Sequence, residues 1–106
     1  MTIKSFRVWN PDELNLMYFS FDSIYFAERY LQQHAHEVEQ CTGMYDKDGK
    51  LIYENDIIFR ENAQLTYTVE YNIKYGFMAK DQDGDYRFLY EIADTSKVIG
   101  DIRSKP

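Results

Sequence analysis

The sequence predicts a mainly β fold with one helix, a β-rich α+β domain in which an SH3-like barrel follows an N-terminal hairpin and helix. Three observations carry this. Residues 65–79 place an apolar residue at every odd position (Leu65, Tyr67, Val69, Tyr71, Ile73, Tyr75, Phe77, Ala79), and a period of two marks strand with one buried face. Two turns of one type, Asp46-Lys47-Asp48-Gly49 and Asp81-Gln82-Asp83-Gly84, punctuate the second half, where Asp bonds its own backbone and Gly supplies positive φ. Helical spacing is confined to one long segment, residues 22–36.

The elements follow in order. Residues 3–9 alternate Phe6 and Val8 with Arg7 and Trp9, and Asn10-Pro11-Asp12 ends that strand. Residues 14–21 alternate again at Met17, Phe19 and Phe21, so the two runs form a hairpin. Asp22 or Ser23 can cap the helix, whose Ile24, Ala27 and Leu31 share one face. Residues 38–42 lead as a strand into Gly43, residues 51–53 return from the first Asp-Gly turn, and Asn55-Asp56 breaks before a buried strand at 57–59. Fifteen alternating residues exceed an ordinary strand, so Asn72 or Gly76 marks a bend or tight hairpin. The second Asp-Gly turn feeds a strand at 86–90, a single helical turn at 94–97, and a closing strand at 98–102. Five strands so short bury one face by curling into a barrel. The two Asp-Gly turns are two similar hairpins rather than an internal repeat, because their flanks are unequally spaced.

A chain of 106 residues is one domain, since a second core would leave each half too small. The expected organisation is residues 1–39 as hairpin plus helix and residues 40–106 as barrel, in one unit. Aromatics reach 17%, with ten Tyr and seven Phe, and that surplus on a small chain points to self-association as a homo-oligomer. The net charge is −6, and Arg29, Arg60, Lys74, Lys80 and Arg87 each have an acidic residue near in sequence. Phosphate-backbone binding depends on clustered cations, so direct nucleic-acid binding is not expected. The single cysteine fits a reducing compartment, and the N-terminus lacks an apolar leader or membrane-length run. The expectation is a cytoplasmic protein with no membrane association.

Three stretches resemble the YopX family of small phage and prophage proteins. Ile3-Lys4-Ser5-Phe6-Arg7-Val8-Trp9, with Met17-Tyr18 after it, is similar to the family's opening pattern. Residues 40–58, QCTGMYDKDGKLIYENDII, resemble its central motif, and Val98-Ile99-Gly100-Asp101-Ile102 with Pro106 resembles its end. Cys41 stands where the family carries an aromatic, Asp48 where it carries Asn, and Asn55 where it carries Gly. Asn tolerates positive φ better than other non-glycine residues, so Asn55 can hold the glycine's geometry. Cys41 takes the place of a ring and is expected to be buried. The resemblance implies an SH3-like barrel encoded by a phage or integrated element, in a bacterial host cell, and no assigned reaction.

The residues themselves carry no enzymatic constellation. An EF-hand starting at Asp81 would put glycine at position 4 and Ile92 at position 12, against the required 6 and Glu, so no calcium site is expected. His34 and His36 lie two apart on a helix and point in different directions, and Cys41 leaves a fourth ligand missing. No Ser elbow or phosphate loop is present. Catalytic residues, metal and cofactor are therefore all expected to be none. The candidates for a partner or subunit surface are the aromatics Trp9, Tyr45, Tyr53, Tyr71, Tyr75 and Phe77. The function expected is an interaction module, oligomeric, binding a host or phage protein. Two alternatives stand beside it: an acidic DNA mimic or inhibitor of a nucleic-acid-binding enzyme, and a nucleic-acid-binding barrel with a basic groove of Arg60, Lys74, Lys80 and Arg87.

Overall fold

The two N-terminal apolar runs pair as predicted. In a computed structural model, which describes residues 5–10, 13–20 and 38–103, β1 (Ser5–Asn10) and β2 (Asn15–Ser20) form an antiparallel hairpin with Val8 opposite Met17 and Trp9 opposite Leu16. The helix expected over residues 22–36, with His34 and His36, lies outside the described residues. β3 (Val38–Tyr45) then pairs with β1 through residues 38–40 and with β4 (Leu51–Tyr53) through Cys41 and Tyr45. The resulting four-stranded sheet has the order β2-β1-β3-β4. β3 therefore crosses position 39/40, joining the N-terminal hairpin to the central one.

Between Cys41 and Tyr45 the register of β3 shifts. Thr42 stabilises this bulge: its Oγ1 donates to the Ile52 carbonyl at 2.8 Å and accepts the Met44 N–H at 3.1 Å. Cys41, expected to be buried, is half-buried, with its Sγ accepting the Gly43 N–H at 3.3 Å. The bulge accounts for this by breaking the inward alternation at that point.

The second sheet contains β5 (Asp56–Arg60), β6 (Leu65–Asn72), β7 (Gly76–Asp81), β8 (Tyr86–Phe88) and β9 (Lys97–Asp101), in the order β8-β7-β6-β5-β9 with every pair antiparallel. The long alternating run is a hairpin broken where Asn72 and Gly76 predicted. Asn72 Oδ1 accepts the N–H groups of Lys74 and Tyr75 at 2.8 and 3.0 Å, and Gly76 takes φ 82°. Its alternation continues through the register, which sets Val69 opposite Ala79 and Tyr71 opposite Phe77.

The two Asp-Gly turns have the same geometry. Asp46 Oδ1 accepts the N–H groups of residues 48 and 50, and Asp81 Oδ1 accepts those of residues 83 and 85. In each, the aspartate N–H also donates to the carbonyl four residues on, and the glycine N–H donates back to the aspartate carbonyl.

One prediction is corrected here. The strand expected at 86–90 ends at Phe88, and the helical segment starts at Leu89, with α1 (Leu89–Ile92) and a 3-10 turn (Ala93–Thr95) before β9. Leu89, Ile92 and Ala93 are all buried and spaced three and four apart, and the Glu91 carboxylate accepts the Phe88 N–H at 3.3 Å. Burial of that stripe outweighs the strand propensity of Tyr86 to Tyr90. The stripe packs on Ile58, Tyr67, Val69, Ala79 and Val98, with Ile52 contributed by β4, so both sheets share one core.

Candidate functional site

Two places concentrate polar and aromatic groups: a buried ionic junction between the sheets, and an exposed aromatic surface on β6, β7 and β8. At the junction, Arg7 of β1 is buried although it lies between the apolar Phe6 and Val8, because both faces of β1 are covered. Its guanidinium reaches three elements. Nε donates to Glu39 Oε1 at 2.7 Å, Nη1 meets Asp56 Oδ1 at 2.7 Å, and Nη2 donates to the Glu54 carbonyl at 3.0 Å. The ring of Tyr53 lies 5.0 Å below the guanidinium carbon. Glu39 Oε2 accepts from Asn55 Nδ2 at 2.6 Å and from Arg103 Nη2, and Arg103 in turn lies 5.1 Å over the Trp9 ring. Asp56 Oδ2 accepts the Tyr53 N–H at 2.8 Å.

Burial disfavours charge on Arg7, but Asp56 and Glu39 outweigh it and hold its pKa above the ordinary value. Burial pushes Asp56 upward by more than Arg7 and the Tyr53 N–H pull it down. Such a cluster specifies how the sheets dock more than it stabilises them, because removing two opposite charges from water costs about what their attraction returns.

Asp46 forms a second fixed point. Besides its own turn, its Oδ2 accepts the Val98 N–H of β9 at 2.9 Å, and the Lys47 N–H donates to the Ser96 carbonyl at 2.9 Å. Burial works against its charge, but the N–H groups of Val98, Lys50 and Asp48 outweigh it, so its pKa lies below the usual carboxylate value.

The exposed aromatics lie on the five-stranded sheet and on α1, which follows β8. Ile73 is 93% exposed, Tyr90 68%, Tyr75 54%, Tyr86 51% and Tyr71 45%. They form two groups, Tyr71 with Phe77 on the core-side face of the sheet and Tyr75 and Tyr90 around Phe88, which takes the opposite face. Tyr71 meets Phe77 edge-on at 5.1 Å, Tyr75 meets Phe88 at 6.3 Å, and Phe88 stacks on Tyr90 at 5.5 Å. Tyr71, Tyr75 and Tyr86 also line one cavity with Glu70, Asn72 and Met78. Lys74 and Lys80 hold their ammonium groups 5.2 and 5.8 Å from the Tyr75 and Tyr86 ring centres.

The six aromatics singled out from sequence therefore fall in three places. Tyr71 and Phe77 meet on the β6–β7 hairpin and Tyr75, in its turn, meets Phe88, while Trp9 and Tyr53 stack on the arginines of the buried junction. Tyr45 is exposed at the end of β3. Tyr86, Phe88 and Tyr90 were not singled out; their signal was their adjacency to the second Asp-Gly turn, which folds β8 back beside β7. The basic residues do not form one groove. Lys80 faces Tyr86 across the strands, whereas Arg87 pairs with the buried Ala79 and so takes the opposite face, and Arg60 bonds Thr95 at 3.1 Å. Among the described residues no group of three His, Cys, Asp or Glu side chains is placed to hold a metal ion.

A family model described as YopX protein matches residues 19–106, most of the chain. The chain belongs to the YopX family. No curated protein matches it. Of the residues in the 40–58 stretch that depart from the resemblance, Asn55 has a visible role. Asn55 takes φ 70°, as its substitution for glycine required, and its side chain adds the bond to Glu39. Its backbone joins β6 to the C-terminal end, since its N–H donates to the Val69 carbonyl at 2.7 Å and its carbonyl accepts from Ile102 at 3.0 Å. Arg7 and Trp9 precede the matched segment, yet Arg7 bonds Glu54 and Asp56 of the motif. No helix among the described residues is long and apolar enough to cross a membrane.

Proposed function

We propose that this YopX-family chain is a small phage- or prophage-encoded interaction module that binds a second polypeptide through the β6–β8 aromatic surface, carried on an SH3-like barrel. The strand order β8-β7-β6-β5-β9, with helical turns immediately before the last strand, supports the barrel. The observation that carries the binding reading is the exposure of Tyr75, Tyr86 and Tyr90, of which Tyr75 and Tyr90 meet at Phe88 and Tyr86 lines a cavity with Tyr75. A covered aromatic buries 150–250 Å², so three rings about half or more exposed present roughly 350 Å² of largely apolar surface. That is within the range of the largest patch on an ordinary monomer, a patch that is often functional.

The central motif, by contrast, has its polar groups engaged internally. Asp46, Asp56 and Glu39 all accept hydrogen bonds from buried partners, so these carboxylates do not contribute to an outward acidic face. This favours protein binding over charge mimicry of DNA. The test replaces Tyr75 and Tyr86 together by Ser and compares the proteins retained from host lysate by parent and variant, with light scattering on both. Loss of a retained protein by a folded variant supports the reading. Equal retention by both contradicts it, and a multimer that the variant alone loses assigns the surface to a second copy of the chain.

A further inference from the structure

Paired residues of an antiparallel sheet share a face, so the side of β6, β7 and β8 turned away from Val69 and Ala79 presents two rows. One holds Thr68, Lys80 and Tyr86, and the next holds Glu70, Met78 and Phe88. Tyr75 and Tyr90 join the second row through Phe88, at 6.3 and 5.5 Å. Tyr71 and Phe77 lie on the core side and take no part.

The charges on the outer side are ordered from end to end. β7 spans Gly76–Asp81, about 17 Å at the usual strand rise. Just before it, Lys74 holds its ammonium 5.2 Å from the Tyr75 ring centre. Just after it, the second Asp-Gly turn carries Asp83 and Asp85, both exposed. Asp81 closes that turn by accepting the N–H groups of residues 83 and 85, which leaves the other two carboxylates to solvent. Between the ends lies one charge of each sign, Glu70 in one row and Lys80 in the next. Among the described residues, Lys74, Lys80, Asp83 and Asp85 form no salt bridge.

A face that is basic at one end, acidic at the other and apolar between is complementary to itself once reversed. We propose that it docks on the same face of a second copy of the chain, about a two-fold axis crossing the strands at the level of Ala79. That axis exchanges the two rows. Met78 then lies over the partner subunit's Lys80, Phe88 over the partner subunit's Tyr86, and Glu70 one strand away from that lysine. Lys74 comes over the partner subunit's Asp-Gly turn, and the reverse contact forms at the other end. A partner of one charge sign would meet like charge at one end, and this selects a second copy. About 350 Å² of ring surface from each copy is less than a standard interface contains, so the dimer is weak and forms at high concentration. Beyond the surface reading above, the second copy covers this face while no other polypeptide does, and a tighter partner displaces it.

The test is sedimentation equilibrium of the full chain from about 10 µM to about 1 mM. The parent is expected to pass from one copy towards two across that range, with association at least about fivefold weaker in about 0.5 M salt. Lys74→Glu, and separately Asp83→Lys with Asp85→Lys, are each expected to weaken association about tenfold, because each sets like charges together at both ends. An equimolar mixture of these two variants is expected to associate as the parent does, since both ends are then paired again. A parent that stays single at about 1 mM, or a mixture no tighter than either variant by itself, overturns the proposal. Should a charge variant lose the parent's amide spectrum, the Tyr75→Ser, Tyr86→Ser variant decides: it is expected to stay single, and dimerisation equal to the parent's overturns the proposal. If the parent stays single while that same variant still loses a retained protein, the surface stands and the second copy is excluded. If both fail, the surface reading fails with it.

Discussion

Arg7 shows how a single side chain can be structural where its sequence neighbours suggest a solvent-facing strand position. It bonds Glu39, Asp56 and the Glu54 carbonyl from a buried site. Arg7→Ala leaves Asp56 buried without its cation and Glu39 with Arg103 alone, and is expected to lower unfolding free energy by about 3–5 kcal/mol in urea titrations. Arg7→Lys recovers less than half of this, because an ammonium cannot serve three directions with a planar fork. Asp46 makes a pH-dependent contribution. Its folded pKa lies below the unfolded value of 3.8, so its stabilisation is present above that value and is lost as pH falls through the folded pKa. Asp46→Asn places an amide NH₂ or a single oxygen where two oxygens accept three N–H groups. The variant is expected to be less stable at neutral pH and to lose less stability than the parent below about pH 3.8, measured as denaturation midpoints across that range.

At the scale of elements, the twin Asp-Gly turns provide an internal comparison. Both aspartates close their own turn, but only Asp46 also bonds another strand, through the Val98 N–H. Asp46→Ala is expected to cost about 2–4 kcal/mol and Asp81→Ala about 1 kcal/mol, by the same urea titration. Equal costs would mean that the link to β9 contributes nothing. The hairpin of β6 and β7 shows where sequence reading succeeds and where it ends. The period of two in residues 65–79 gave the strands, and Asn72 and Gly76 gave the break. The same period could not show that Tyr67, Val69 and Ala79 meet the core while Tyr71, Ile73 and Tyr75 run past it. Alternation identifies a face, and the extent of the core depends on what packs against that face. The shift of the helical segment to Leu89 has a related cause. Residues 86–92 fit a strand until Leu89, Ile92 and Ala93 are seen to share one buried stripe. The junction of Arg7, Glu39 and Asp56 left no local trace, because Arg7 lies 32 residues from Glu39 and further still from Asp56, and only the pairing of β1 with β3 and the docking of the two sheets bring them together.

Across the whole molecule, the central motif and the aromatic surface divide the work. The stretch from Gln40 to Ile58 supplies a bulged strand, a fixed turn and the Asn55 corner, and its charged groups tie β1, β5, β9 and the C-terminal end into one body. The surface that remains available lies on β6, β7 and β8, outside that motif, and this is where partner recognition is placed. Ile73 projects almost wholly into solvent, so Ile73→Asp is expected to change stability by less than about 0.5 kcal/mol while weakening partner binding. The most direct measurement is the paired retention experiment on the parent and the Tyr75→Ser, Tyr86→Ser variant, with thermal unfolding confirming that both are folded. The account predicts a protein retained by the parent and lost by the variant at unchanged melting temperature. The same proteins retained by both, or none by either, would contradict it.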